Sequence, residues 1–94
     1  MVEEMVVVSL VPLGGTGEAF AIEGAVPEKE VADLLAEAEL CIKENRYLYL
    51  RLENVPISYA VGPAALSQSV IRVDRARKRV GNMFRICLQR VVEP

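Results

Sequence analysis

Three sets of residues in this 94-residue chain have types and spacings that could do chemistry. The first is Tyr47, Tyr49 and Arg51, which alternate with Leu48, Leu50 and Leu52. Successive side chains on a strand point to opposite faces, so the tyrosines and the arginine share one face and the leucines the other. Tyrosine and arginine combine a broad apolar body with a polar head and are enriched at protein interfaces. The same trio could also stack bases against a sheet.

The second set is Arg72, Arg75, Arg77, Lys78 and Arg79, close enough in sequence to form one basic patch. It belongs to a division of charge that the net value of -2 conceals. Ten acidic residues (Glu3, Glu4, Glu18, Glu23, Glu28, Glu30, Asp33, Glu37, Glu39 and Glu44) precede Asn45, against only Lys29 and Lys43. From Arg72 to Arg90 seven basic residues face a single Asp74. If the two halves fold into separate surfaces, the acidic face of one copy suits the basic patch of the next, and opposed charge would set register and association rate. A polyanionic partner is the other use of such a patch, although ten carboxylates on so small a domain would repel one. The simplest reading is a solvated basic element.

The third set comprises acidic pairs and a glycine-rich turn. Asp33 and Glu37 stand four apart and would share a helix face, where two carboxylates can hold a hard cation or work as acid and base. A solvated helix face accounts for them more simply. Gly14-Gly15-Thr16-Gly17 follows an apolar run, but neither a Lys-Ser/Thr pair nor a helix comes after it, so it reads as a hairpin turn rather than a phosphate cradle. The sequence has no histidine, which removes the commonest general base and the commonest metal ligand. No nucleophile and base pair is recognisable, and no catalytic residue, metal or cofactor is expected.

These residues must be positioned by one small scaffold. The length suits a single domain over 1–94, and 52% hydrophobic residues with 26% charged describe a chain that folds. Met5 to Leu13 and Ala19 to Val26 form a predicted hairpin across the glycines, with the first strand apolar on both faces, as in a central strand. Pro27 followed by Glu28 and Glu30 predicts a helix start, and Val31, Leu34, Leu35, Ala38, Cys41 and Ile42 make one apolar stripe up to a stop at Asn45. The helix is therefore expected over about 28–44. A strand over 47–52, a turn over 53–56 and a short returning strand over 57–61 follow.

Residues 64–79 suit both a helix begun by Pro63 and a strand around Val70 to Val73. Phe84 to Gln89 alternates, extends through Val91 and Val92, and is expected to face Phe84, Ile86 and Leu88 inward. The fold class is thus α+β with a mostly antiparallel sheet, one long amphipathic helix and a possible short second helix. Its order, a hairpin crossed by a helix and followed by further strands, resembles the β-grasp arrangement of ubiquitin-like proteins and would also suit a ferredoxin-like split sheet.

No run reaches the roughly 18 apolar residues of a membrane span, and Cys41 and Cys87 sit in apolar patterns as reduced thiols, which points to a cytoplasmic protein. The expected function is a non-catalytic, protein-interaction or self-assembling domain that uses the acidic helix face, the Tyr47, Tyr49 and Arg51 strand face and the basic patch. A small nucleic-acid-binding protein using Arg72 to Arg79 on phosphates is the alternative. A homo-oligomer is favoured, because so short a chain with few aromatics gains by burying apolar surface against a copy.

Overall fold

In the computed structural model, residues 4–12, 22–75 and 83–89 are described. The order is β1 (Met5–Pro12), β2 (Ile22–Pro27), α1 (Glu28–Lys43), β3 (Leu48–Leu52), β4 (Ser58–Val61), α2 (Pro63–Ser67), β5 (Ser69–Asp74) and β6 (Ile86–Leu88). This is the expected α+β class. The strands do not form a single sheet, however. They divide into two three-stranded antiparallel sheets, ordered β2-β1-β5 and β4-β3-β6.

The first strand is central in its sheet, as its apolar residues on both faces require. Val6, Val8 and Leu10 enter the main core cluster, while Val7 and Ser9, on the opposite face, are buried as well. Ser9 keeps its hydroxyl satisfied by donating to the Glu23 carboxylate across the ladder, at 3.3 Å.

The chain turns from β2 into α1 without a break. Pro27 is the last strand residue, and Glu28 and Glu30 occupy the first helical turn. Val31, Leu34, Ala38 and Cys41 are buried, whereas Leu35 and Ile42, at the margin of the predicted stripe, remain 38% and 41% exposed. The helix stops at Lys43, and Asn45, just past the cap residue Glu44, has a φ of 56°, in the left-handed region that Asn tolerates. The Arg46 amide donates to the Cys41 carbonyl at 2.8 Å and the Asn45 amide to Ile42 at 3.3 Å, which is the paired bonding of a Schellman cap.

The ambiguity over 64–79 resolves into both readings in turn: the short α2, begun by Pro63, then β5. Its residues from Ala76 to Arg79 lie outside the described ones, as do the glycine turn over 14–17 and Val91 and Val92.

One expectation fails at the closing strand. Phe84 is not in the core but 50% exposed, while Ile86 is buried and Leu88 packs against the cluster. Regular pairing with β3 runs only from Ile86 to Leu88; before it the chain crosses to the other sheet. There the Ala25 amide donates to the Phe84 carbonyl at 3.0 Å and a lone parallel bridge joins Ala25 to Arg85. Phe84 therefore contributes backbone to the junction.

Gly24 makes that junction possible. A Cβ there would lie 2.5 Å from Ile86 Cγ1, 2.8 Å from Ile86 Cδ1 and 2.8 Å from the Phe84 carbonyl oxygen. Ile86 thus sits in the space a side chain on β2 would fill, and β1, β2, α1, β3 and β6 share one core. Gly24→Ala is expected to lower stability by about 1–3 kcal/mol through overpacking, measured by urea unfolding. A change within about 0.5 kcal/mol, the ordinary range of a surface substitution, would show that β6 does not close on β2 in this way.

Candidate functional site

The β4-β3-β6 sheet has one face on the core and one outside. Leu48, Leu50 and Leu52 are buried at 2%, 3% and 6% exposure, while Tyr49 and Arg51 point outward between them. Tyr47 precedes the strand on the same side and is 54% exposed, and its ring lies 6.3 Å from that of Tyr49 with the planes 25° apart. The sequence pattern thus locates all three residues on one solvent-facing surface.

The neighbouring strands leave this surface open. Tyr49 pairs with Ala60, and Arg51 with Ser58 on β4 and Cys87 on β6. Gly62 continues the row, and a Cβ placed there would touch the Tyr47 ring at 3.5 Å. Small residues thus flank the tyrosines on β4, so the two rings stand above that strand. Just past the end of β3, the Glu53 amide donates to the Arg85 carbonyl at 2.9 Å. Sequence reading passed over Ser58, Ala60 and Gly62, although the alternation of Ser58-Tyr59-Ala60-Val61 carried the signal.

The basic cluster has a different setting. Arg72 lies on β5, in the other sheet, with its side chain 72% exposed and its guanidinium 3.9 Å from Asp74. Arg75 donates through Nε to both carboxylate oxygens of Glu28, at 3.0 and 3.1 Å. Arg77, Lys78 and Arg79 lie outside the described residues. Arg85 donates to Glu30 at 2.8 Å. The two glutamates of the first helical turn, where negative charge is favoured, thus hold two arginines from the rear of the chain. Exposed pairs of this kind contribute only about 0.2–1 kcal/mol each, so they orient the helix more than they stabilise it.

At the far end of α1, Arg46 pairs with Glu44 at 2.7 Å and Glu37 at 3.5 Å. The arginines among the described residues are Arg46, Arg51, Arg72, Arg75 and Arg85, and only Arg51 has no carboxylate within ion-pair reach among the described residues. Glu53, two residues on, likewise has no ion pair among them.

Asp33 is exposed, while Glu37 is engaged by Arg46, so the two do not form an isolated acid pair. Among the described residues no three acidic or sulfur side chains converge to hold a metal ion. An apolar groove of about 220 Å³ runs between Leu10, Ile22, Val61 and Ala65. The hydroxyl at its edge, that of Ser69, donates to the Ala65 carbonyl at 2.6 Å.

Both cysteines are free thiols. Cys41 is wholly buried and its thiol donates to the Tyr47 carbonyl at 3.5 Å, tying the end of α1 to the start of β3. Burial pushes this thiol above its ordinary value; nearby Arg46 acts the other way, and Glu37 adds to the rise.

Comparison with models of known protein families, with curated proteins and with solved structures finds no match to this chain. Among the described residues no helix is long and apolar enough to cross a membrane.

The Cys41 environment has a testable consequence. A folded thiol that keeps its proton to higher pH than the unfolded one contributes stability that is complete below the unfolded value and is lost as pH rises through the folded one. The stability difference between the wild type and Cys41→Ala should therefore shrink above about pH 9, the ordinary thiol value. Urea unfolding at stepped pH measures it. A difference that stays constant or grows through the alkaline range would contradict a buried, neutral Cys41.

Proposed function

We propose that this chain is a non-catalytic interaction domain whose docking surface is the outer face of the β4-β3-β6 sheet, centred on Tyr47, Tyr49 and Arg51. The observation that carries this reading is the contrast among the arginines. Arg46, Arg72, Arg75 and Arg85 each have a carboxylate of the same molecule, whereas Arg51 has none among the described residues and stands beside two stacked, exposed tyrosines. Buried hot spots at interfaces are enriched in tyrosine and arginine, and an unpaired guanidinium can supply a directed contact to a carboxylate or an aromatic ring.

The intramolecular pairs bear on the sequence-based picture of opposed surfaces. Glu28 and Glu30 already meet Arg75 and Arg85 within the fold, which reduces the charge that the front of the helix can offer a partner. The tyrosine face supports docking better than the helix does. Arg51 is its only cation among the described residues, where binding a polyanion would call for several.

A photo-crosslinking amino acid at position 47 tests the reading in the cells that make the protein. Crosslinks to a polypeptide, its own chain included, are expected, and Arg51→Glu should suppress them. Crosslinks to nucleic acid, together with oligonucleotide binding that weakens steeply with salt, would assign the face to the alternative use. No crosslink to any macromolecule would remove the surface from consideration.

A further inference from the structure

The backbone of β4 has an open side. The Leu52 amide donates to the Ile57 carbonyl at 3.1 Å, and a strand in an antiparallel pair turns its polar groups toward a given neighbour at every second residue. Tyr59 and Val61, opposite Leu50 and Leu48, therefore bond to β3, while Ser58 and Ala60 turn their N–H and C=O groups away from it. The other side of β3 agrees with this phase, since the Tyr49 carbonyl accepts from the Gln89 amide at 2.9 Å. β4 is the outer strand of its sheet, Ser58 and Ala60 are exposed, and their backbone groups have no hydrogen bond among the described residues.

An unpaired edge is a template for another extended chain. The outer strand of the other sheet, β5, carries Arg72 and Asp74, charges of the kind that guard an edge. Ser58–Val61 carries none.

The side chains of β3 reach toward this edge. Between them and it stand only Ser58, Ala60 and Gly62, so small that the Tyr47 ring comes within 3.5 Å of where a Cβ on Gly62 would be. Arg51 lies opposite Ser58, and Tyr49 opposite Ala60. A strand added beside β4 would stand two strand spacings from β3, about 10 Å, a gap that an arginine and a carboxylate side chain bridge together above a serine. Resting on the reading of this face as the docking surface, we infer that its occupant is an extended segment of a partner protein that adds to the β4 edge. An aspartate or glutamate opposite Ser58 meets Arg51, and an apolar residue two positions away, opposite Ala60, meets Tyr49.

Charge selects this chemistry, because Arg51 is the described arginine with no carboxylate of its own among the described residues. In strand addition the main-chain bonds supply affinity and the alternate side chains supply specificity. With four residues in β4, few main-chain bonds are on offer, so the Arg51 and Tyr49 contacts carry much of the binding.

A displayed library of random linear peptides, selected on the full chain, provides the test. The selected peptides should share an acidic residue two positions from an apolar one. With one of them bound, hydrogen exchange at the Ser58 and Ala60 amides should slow by at least about tenfold, and exchange at Tyr59 and Val61, already bonded to β3, should change less. Arg51→Glu should weaken binding of that peptide by at least about tenfold. Replacing the peptide's acidic residue with lysine should then restore binding to the variant to within about threefold of the original pair. The Arg51 side chain is on the surface, and circular dichroism verifies that the variant folds.

A selection without binders, binders that lack the acidic residue, or a bound peptide that leaves exchange at Ser58 and Ala60 unchanged overturns the acidic strand as occupant. If the position-47 crosslinker still traps a polypeptide, the docking face stands and only what fills it changes. If it traps none, the face itself fails.

Discussion

The fold turns on how closely β6 approaches β2. Two small sheets, each of three strands, would have little core of their own, and a sheet of that size needs a covered face to be stable. Gly24 removes the side chain that would hold them apart, Ile86 occupies the space, and Ala25 takes the Phe84 carbonyl. The leucines of β3 then share one interior with the valines of β1 and the buried stripe of α1. Since the leucines face inward, the alternate residues of β3 must face solvent. The exposed tyrosines are thus a geometric consequence of the same packing that makes the core.

Among the described residues, much of the charge is paired around this frame. The first turn of α1 meets Arg75 from the end of β5 and Arg85 from the start of β6, and the last turn meets Arg46. The first two contacts join elements far apart in sequence at little energetic gain, which suits a role in fixing the helix's direction. Among the described arginines Arg51 is the exception, on the sheet face that the helix does not cover. The functional reading follows from that exception and not from the total number of arginines.

Much of this was legible in the residues, and the rest was hidden for identifiable reasons. Period-two alternation over Tyr47 to Leu52 sorted inward from outward side chains correctly, because both strand faces have contrasting chemistry there. Pro27, Glu28 and Asn45 marked the helix ends through local backbone physics alone. Phe84 misled because its alternation with Ile86 looked like regular pairing, while the approach to β2 that breaks the pattern depends on Gly24, sixty residues earlier. The pairing of Arg75 with Glu28 was equally invisible: a charge count says how many partners exist but not which the topology brings together. The helix and strand signals over 64–79 competed because α2 and β5 follow each other with only Gln68 between them.

The central claim, that β3 turns its leucines into the core and leaves Tyr47 and Tyr49 on an open outer face, is tested most directly by the ring protons of the three tyrosines. Tyr47 and Tyr49 lie on that face, and Tyr59 packs against the core from the other side of the sheet. In proton NMR spectra recorded with a soluble paramagnetic agent, the Tyr47 and Tyr49 resonances should broaden clearly more than those of Tyr59. Broadening of Tyr59 that equals or exceeds that of Tyr47 and Tyr49 would contradict it.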